Sequence, residues 1–319
     1  MQQEFIRGLH NLRPEHRNCV ATIGSFDGVH LGHQAILQQL IDVARAQNLP
    51  TVVIVFEPQP HEFFAGDKAP ARLMRLREKV SALWAAGVDR ILCLRFNQEL
   101  RGLSAEQFID RVLVNGLGIK HLVVGDDFRF GCDRRGDFSL LTTRGSQLGF
   151  VVSDTQTLAI AGERVSSTRI RELLELGDFV QAAKLLGKPY SIHGRVVYGK
   201  QLGRQLGVPT ANVDLRRYRS PLHGVFAVIA KFADGSSYQG VANIGVRPTL
   251  KKNGEPGEKK PLLEVHLFNF SRDIYGAVID VEFRHKLRDE KKFGSLDELK
   301  AQLQLDILQA QDFLTTNPG

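Results

Sequence analysis

The chain has 319 residues, of which 43% are hydrophobic and 24% are charged, and these are ordinary fractions for a folded protein. This length favours two domains over one large core. The net charge of +7 suggests anionic partners, but Lys and Arg are spread along the chain beside many Asp and Glu. Phosphorylated small molecules therefore fit the composition as well as nucleic acid does.

The cysteine pattern and the hydropathy bear on the compartment. Cys19, Cys93 and Cys132 form no CxxC pair and no disulfide framework, so we expect a reducing environment and buried, structural thiols. The first residues lack a signal-peptide core, and no apolar run approaches the ~18 residues of a membrane helix. We therefore expect a cytoplasmic protein without a membrane partner.

The first half of the sequence alternates short apolar runs with amphipathic segments, up to about residue 155. The runs VVIVF and ILCL are apolar throughout, as in strands that are buried on both faces. Ser104 and Gln107 form a capping box at the start of one predicted helix. The pattern predicts a Rossmann-like α/β domain, with helices covering both faces of a parallel sheet.

The second half changes to a pattern of strands and turns. Two short helices are predicted in SSTRIRELLELGDFVQAAKLLG, and strands in YSIHGRVVYG, GVFAVIAKF, SYQGVANIG, LLEVHLFNF and AVIDVEFRHKL. A closing helix is predicted in SLDELKAQLQLDILQAQDFL, and a charged loop in LKKNGEPGEKKPL. We expect an antiparallel β-barrel or sandwich with a terminal helix, and two domains at residues 1–186 and 187–319.

A glycine-rich turn with two histidines, GSFDGVHLGH, follows the first predicted strand. In an open parallel sheet, ligands bind beyond the carboxyl ends of the strands, and the first strand-to-helix turn is the usual phosphate site. Gly24, Gly28 and Gly32 allow the backbone to approach an anion, while His30 and His33 can donate hydrogen bonds to phosphate oxygens. The alternative is that His30 only caps the turn and His33 only begins the helix.

The segment GKQLGRQLGVPTANV joins a glycine-rich basic loop to two oxygen-bearing side chains. The loop residues are Gly199, Lys200, Gly203, Arg204 and Gly207. Glycines at four-residue spacing with basic residues between them indicate a loop that covers and neutralises phosphates. Thr210 and Asn212 alternate along an extended chain, so both point to one side, and their oxygens suit Mg²⁺. A basic hairpin with an asparagine turn is the alternative.

The motifs together resemble a known family. GSFDGVHLGHQ resembles the HxGH nucleotidyltransferase superfamily, and FEPQPHEFF, VVGDDFRFG and VSSTRIRELL follow it in order. The later GKQLGRQLGVPTAN string is similar to the phosphate loop of riboflavin kinases. Over nearly its whole length, the chain resembles the prokaryotic bifunctional riboflavin kinase/FMN adenylyltransferase (FAD synthetase) family.

For the first half, the resemblance implies that His30 and His33 contact the ATP phosphates while the FMN phosphate attacks the α-phosphorus. The other implied ATP-binding and phosphate-binding positions are Gly24, Phe26, Asp27, Gly28, Gly32, Ser166, Ser167, Thr168 and Arg169. Basic charge at the start of the SSTRIR helix opposes the helix dipole, which favours an anion ligand over an ordinary N-cap. Asp126, Asp127 and Arg129 could reach the flavin or the nucleotide, and an ordinary Asp-rich turn explains them equally well.

For the second half, the resemblance implies phosphorylation of riboflavin by ATP. Glu264, the acidic residue of the strand LLEVHLFNF, would be the base for the ribityl hydroxyl. A solvent-facing glutamate on an alternating strand is the alternative. Asn243, Arg247 and Arg288 are further candidates for flavin contacts, as is Phe293, although turns and a basic helix lead-in account for them as well.

The implied substrates and products are ATP, riboflavin, FMN and FAD, with Mg²⁺ as cofactor. One alternative is a kinase whose first half is only a nucleotide-binding relic, which the HxGH and SSTRIR strings argue against. The other is a nucleic-acid-binding protein, but the sequence has no zinc site and no RNP-like aromatic string. Whether copies of the chain associate is left open by the sequence.

Overall fold

The computed structural model describes residues 3–125, 127–155, 158–160, 162–199, 203, 207–216, 219–250 and 256–317, with the backbone alone for 246–250 and 256–260. The chain divides into two compact units. Unit 1 consists of Met1–Pro70 and Met74–Ser167, and unit 2 consists of Ala71–Leu73 and Thr168–Gly319. The functional boundary after residue 186 stays a prediction.

Unit 1 contains a six-stranded parallel sheet. Its strands are β1 (Glu4–Arg7), β2 (Val20–Ile23), β3 (Thr51–Glu57), β4 (Arg90–Arg95), β5 (His121–Gly125) and β6 (Val151–Thr155). They lie in the order β1-β4-β3-β2-β5-β6, so the chain reverses its direction of travel across the sheet between β2 and β5. Ligands bind at such a reversal in open α/β sheets, at the carboxyl ends of the strands. Two short antiparallel strands, β7 (Ala159–Ile160) and β8 (Glu163–Arg164), follow.

Helices cover both faces of this sheet, as the sequence predicts. They are α1 (Leu31–Gln47), α2 (Pro60–Ala65), α3 (Leu76–Ala85), α4 (Gln98–Arg101), α5 (Ala105–Phe108) and α6 (Phe138–Leu148). Alternate residues of β3 enter different cores, since Ile54 packs in one buried cluster and Val53 in another. The capping box is confirmed, because the Gln107 N–H donates to Ser104 Oγ at 3.1 Å and the Ser104 N–H donates to Gln107 Oε1 at 3.0 Å.

Unit 2 is a closed antiparallel barrel, which decides between the two predicted architectures. Its strands are β9 (Ser191–Val197), β10 (Ala211–Asp214), β11 (Gly224–Phe232), β12 (Ser237–Leu250), β13 (Pro256–Leu267) and β14 (Val278–Arg288), in the order β10-β13-β12-β11-β14-β9. The helices are α7 (Ser167–Leu176), which begins at the last residue of unit 1, α8 (Phe179–Leu186) and α9 (Leu296–Thr316). Ala310 and Leu314 of α9 pack on Val225 and Val241, which covers the outer face of β11 and β12.

Two elements differ from the sequence prediction. The edge strand β1 was not predicted, because Ile6 is its one buried residue and the segment has no apolar run. The charged stretch predicted as a loop is partly strand: β12 continues to Leu250, and residues 256–260 belong to β13, where Pro256 pairs with Leu250. Residues 251–255 lie outside the described part of the chain.

Two sequence expectations concern the thiols and the membrane. Cys19 and Cys93 are buried as predicted, whereas Cys132 is partly exposed. In the described part of the chain, no helix is long and apolar enough to span a membrane.

Candidate active sites

The turn after β2 is sharply folded and closely packed. Three residues of this turn have positive φ angles, 46° at Phe26, 89° at Gly28 and 41° at Val29, and the two non-glycine residues are buried. Such angles are rare for residues with a side chain, so the surrounding packing must hold them. Asp27 is also buried, and its Oδ1 accepts a hydrogen bond from the Met74 N–H at 2.9 Å. The carboxylate predicted in the ATP site therefore anchors the turn.

The two histidines form a stacked pair at the start of α1. Their ring centroids lie 3.6 Å apart with an interplanar angle of 15°, and Phe26 packs against His33 at 4.9 Å. The Nδ1 of His30 accepts from the His33 backbone N–H at 3.3 Å, so His30 is the N-cap of α1. A neutral His30 ring therefore carries its proton on Nε2. The capping role and a role in catalysis are compatible, because capping uses only one ring nitrogen.

Burial first of all, and then the positive charges of His30 and Lys79, hold the pKa of His33 well below 6.5. The ring is consequently neutral at pH 7. Its Nδ1 is buried and has no hydrogen-bond partner among the residues that the structure describes. A neutral imidazole can donate one hydrogen bond to a phosphate oxygen without bringing a full charge into the site.

The SSTRIR segment meets the histidine turn. Ser167 Oγ donates to the Asp27 carbonyl at 2.8 Å, which ties the first residue of α7 to the turn. A Cβ at Gly32 would lie 3.2 Å from His30 Nδ1 and 3.3 Å from the Val165 carbonyl, which is tighter than most Cβ contacts, so glycine favours this close approach. Ser167 therefore lies beside the histidine turn, although it is 140 residues from Asp27 in the sequence.

Most other predicted site residues of the first half have contacts away from the two histidines. Thr168 is exposed, and Arg169 forms an ion pair with Glu172 at 3.2 Å. Asp127 pairs with Arg164 of β8, and Arg129 donates to the Phe128 carbonyl at 3.0 Å. Asp126 lies outside the described residues. Gly24 lies beside Phe26, and Ser166 is half-buried next to Ser167.

An aromatic cluster at the carboxyl ends of β3 and β4 was missed by the residue-by-residue prediction. Phe63 and Phe64 of α2 contact Phe96 at 5.3 and 5.8 Å between centroids, and Phe56 contacts it at 5.9 Å. Arg101 lies over the Phe64 ring at 5.5 Å, and Phe64 is 62% exposed. The string FEPQPHEFF was the available signal, since three phenylalanines flank a strand end. Open aromatic faces of this kind can stack against a planar ring.

Three polar side chains lie side by side on three neighbouring strands of the barrel. Glu264 of β13 pairs directly with Asn212 of β10 and with Asn243 of β12. Directly paired residues share a face of the sheet, and Leu263 and Val265 are buried on the opposite face. Asn212 is buried, whereas Glu264 and Asn243 are half-buried. The predicted base is thus the centre of a polar row with an amide on either side.

Two loop glycines lie against the two predicted Mg²⁺ ligands. A Cβ at Gly199 would lie only 2.2 Å from Asn212 Nδ2, and a Cβ at Gly203 would lie 3.1 Å from Thr210 Oγ1 and 2.4 Å from the Val208 carbonyl. Real Cβ atoms do not approach other atoms within 2.5 Å, so a side chain at either position would displace the Asn212 amide or the backbone around Val208. The glycine spacing therefore places backbone over the two oxygen-bearing side chains.

The far end of the loop is attached to the barrel. His266, on the same face of β13 as Glu264, has its Nδ1 at 2.8 Å from the Pro209 carbonyl. Gly207 adopts a left-handed φ of 78°, which glycine accepts without strain. Lys200 and Arg204, the basic residues predicted to neutralise phosphates, lie outside the described residues.

The remaining predicted flavin contacts have mixed surroundings. Arg288 forms two hydrogen bonds with the buried Asp306 of α9, at 2.7 and 2.8 Å, and its guanidinium lies 5.8 Å from the Phe293 ring. The ion pair attaches α9 to β14, a structural role that the sequence did not reveal. Arg247 lies in β12 by its backbone, and its side chain is outside what the structure describes.

The fold and the histidine turn define a nucleotidyltransferase-type α/β unit, joined to an antiparallel barrel that carries a glycine-rich loop. Residues 12–169 match the model of the FAD synthetase family, and residues 186–314 match that of the riboflavin kinase family. The chain belongs to the bifunctional riboflavin kinase/FMN adenylyltransferase family, as the resemblance in sequence predicted.

Named relatives support this membership over the whole chain. The bifunctional riboflavin kinase/FMN adenylyltransferase of Pseudomonas fluorescens is 54% identical over 97% of each chain, and that of Escherichia coli K12 is 50% identical over 97% of each. A crystal structure of a macrolide-efflux protein from Streptococcus pneumoniae is 29% identical, covers 98% of this chain and 99% of its own, and has a TM-score of 0.78. That structure shares the fold of both units.

Proposed function

We propose that this enzyme makes FMN and FAD in two separate sites: unit 2 phosphorylates riboflavin with ATP, and unit 1 transfers the adenylyl group of ATP to FMN. The observation that carries the proposal is the presence of two phosphate-binding motif sets on two compact units, each matched by its own family model. Both reactions are group transfers at phosphorus, so positioning and charge stabilisation supply most of the catalysis.

In adenylyl transfer, an oxygen of the FMN phosphate attacks the α-phosphorus of ATP. The new P–O bond forms as the bond to the β-phosphate breaks, and pyrophosphate leaves with the electron pair. Negative charge on the transferring oxygens grows toward the transition state, and the ring N–H groups of His30 and His33 would donate to them. The N-terminus of α1 and the Ser167 segment would complete the anion site.

In the kinase reaction, Glu264 would accept the proton of the ribityl hydroxyl as its oxygen attacks the γ-phosphorus of ATP, and ADP would leave. Thr210 and Asn212 would help to hold Mg²⁺, and the fit is favourable because a hydroxyl and an amide oxygen, both ligands that Mg²⁺ accepts, lie beside the backbone of Gly203 and Gly199. When bound, Mg²⁺ would neutralise phosphate charge. Among the described residues, no cluster of three His, Cys, Asp or Glu side chains is placed to hold a metal ion.

Each unit offers residues that could contact the flavin. The phenylalanine cluster of unit 1 offers a stacking surface for a planar ring, and Asp127 and Arg129 stay proposed contacts there with Asp126. In unit 2, Asn243 belongs to the polar row and Arg247 to β12, so both stay proposed contacts. For Arg288, a flavin contact would have to coexist with its ion pair to Asp306.

Flavin products separated by chromatography test the proposal. With riboflavin and Mg·ATP, the wild-type chain should form FMN and FAD, and limiting ATP should reveal the order of the two steps. His30→Ala combined with His33→Ala should abolish FAD formation while FMN formation continues. Formation of FMN without FAD by the wild-type chain would support only the kinase activity. Equal loss of both activities in the double variant would contradict the assignment of the two reactions to separate sites.

We infer small-molecule substrates, a cytoplasmic enzyme and no specific nucleic-acid partner. The three cysteines are free thiols, as a reducing compartment requires. Binding to tRNA at ~150 mM salt tests the last point, since only a specific complex would stay tight and saturable under conditions that screen phosphate contacts.

A further inference from the structure

A lysine is buried in the interior of unit 1. Lys79 of α3 is 0% exposed, and among the described residues it is one of the largest side chains that are completely buried. Lysine is one of the residues least often buried, because moving an ammonium group out of water costs free energy. The proposed mechanism uses no group at this position, so the burial of this charge calls for a physical explanation.

Helix α3 packs on the histidine turn of the same unit. The Met74 N–H, two residues before α3, donates to Asp27 Oδ1 at 2.9 Å, which ties the start of the helix to the turn. Lys79 and Val80 are both buried residues of α3, and Val80 belongs to the same buried cluster as Phe26 of the turn. The buried side of α3 therefore lies against the segment that carries the two histidines.

The ring of His33 lies within reach of the Lys79 charge. It packs against Phe26 with 4.9 Å between centroids and stacks on His30 at 3.6 Å. Burial lowers the pKa of His33 most, and the positive charges of His30 and of Lys79 lower it further. The contacts of the turn and the electrostatics of the ring therefore agree on where the buried charge acts.

The other charged side chains of α3 and of the turn have different surroundings. Arg75, the N-cap of α3, forms an ion pair with Glu78 at 3.3 Å, and Arg77 is exposed. Asp27, the one carboxylate in the turn, accepts a backbone N–H. Lys79 is thus the charged side chain that α3 buries on the side of the turn.

A single positive charge has opposite effects on a protonated ring and on a phosphate. Charges in the protein interior are screened less than charges at the surface, so the field of a buried ammonium extends to its neighbours. A field that disfavours a second positive charge on His33 also stabilises negative phosphate oxygens bound beside that ring. Both effects are expected at this turn, and neither needs a contact between Lys79 and the substrate.

We propose that the buried charge of Lys79 supports the ATP site of unit 1 from within the protein, as a positioning residue for adenylyl transfer that acts on His33 and on the bound phosphates. The inference rests on the proposed adenylyl transfer in unit 1. It adds a long-range electrostatic contribution to the hydrogen bonds that the two histidines would donate.

The first test is the titration of His33 in the full chain, followed by NMR of the ring carbons in histidine-labelled protein. The His33→Gln variant identifies the signal, because that signal is missing from its spectrum. Lys79→Met keeps the length of the side chain and removes the charge. The midpoint of the His33 titration should then move to higher pH, since one of the two charges that oppose protonation is gone.

The second test is the kinetics of FAD formation from supplied FMN. In Lys79→Met, kcat/KM for ATP should fall roughly tenfold, as for the loss of one weakly screened charge. Most of the fall should come from a higher KM, because ATP carries its negative charge both before and during the transfer. Formation of FMN from riboflavin should stay unchanged, since that reaction is assigned to unit 2.

Two control variants separate the charge from the packing. Arg77→Met removes an exposed charge from the same helix. Val80→Ala removes buried methyl groups next to Lys79 in the sequence and keeps the charge. Neither should move the His33 titration or change the KM for ATP by more than about twofold. A shift of the titration in Val80→Ala as large as that in Lys79→Met would assign the effect to packing and would contradict the inference.

An unchanged His33 titration in Lys79→Met, or an unchanged KM for ATP, would overturn the inference. If that variant does not fold, Lys79→Gln decides by the same two measurements. Absence of FAD formation by the wild-type chain would instead overturn the proposed function of unit 1. The titration does not depend on activity and would still test the field of Lys79, so the two failures are distinguishable.

Discussion

The substitution Gly199→Ala should slow the kinase reaction by displacing the Asn212 side chain. The added Cβ would lie 2.2 Å from Nδ2, 2.5 Å from Cγ and 2.7 Å from Oδ1 of Asn212. Either this amide or the loop backbone must then move by about 1 Å, and a displacement of that size at a positioned group can lower a rate roughly 10²-fold. Overpacking of this kind also costs roughly 1–3 kcal/mol of stability.

The assay compares FMN formation from riboflavin with FAD formation from supplied FMN. Gly199→Ala should lower the first about 10²-fold and leave the second unchanged, because unit 1 has its own ATP site. Gly294→Ala is the matched control, since its Cβ would meet Glu298 Oε2 at 3.5 Å, an ordinary contact. Wild-type FMN formation by Gly199→Ala would refute the placement of Asn212 under the loop, and equal loss of both activities would point to unfolding.

The remaining predictions concern pH, an ion pair and the metal. The folded protein keeps His33 neutral below its ordinary pKa of 6.5, whereas the unfolded chain binds a proton on that ring. The free energy of unfolding of unit 1 should therefore fall as the pH drops below about 6.5. His33→Gln should make this dependence of stability on pH less steep. Arg288→Met leaves the buried carboxylate of Asp306 without its guanidinium and should lower the free energy of unfolding, measured with denaturant, by roughly 3–5 kcal/mol. Arg216→Met removes an exposed ion pair with Asp214 and should lower it by only about 0–1 kcal/mol. A raised KM for riboflavin at unchanged stability in Arg288→Met would instead favour a flavin contact. Chelation of Mg²⁺ should halt FMN formation, and Asn212→Ala should raise the Mg²⁺ concentration needed, which a titration measures.

Much of the architecture follows from local patterns. Apolar runs such as VVIVF identify strands buried on both faces, and Ser104 with Gln107 marks a helix start, because both signals depend only on neighbouring residues. The strand β1 escaped detection since it pairs at the edge of the sheet through backbone hydrogen bonds, for which its sequence carries no periodic signal. The extension of β13 through Lys259 and Lys260 escaped for a similar reason, as pairing with β12 overrides the low strand propensity of charged residues.

The sequence indicated contacts within one segment and missed those between distant segments. Gly199 and Asn212 occur in one string, and the structure places them side by side, while their roles at the site stay predictions. The dual use of His30 as a helix cap, and the commitment of the Asp27 carboxylate to Met74, depend on contacts made after folding. Arg288 is the same case, since its partner Asp306 lies 18 residues away on another element.

The two proposed phosphate sites are built by different physical means. In unit 1, a buried and neutral imidazole is stacked on a second ring in a turn with positive φ angles at Phe26 and Val29. Buried packing of this kind would hold the proposed ATP site preorganised. In unit 2, Asn212, Glu264 and Asn243 form a polar row on three paired strands, and the backbone at Gly199 packs against Asn212. Substitutions at Phe26, Val29 or His33 should therefore mainly lower kcat for FAD formation, whereas Gly199→Ala should lower FMN formation.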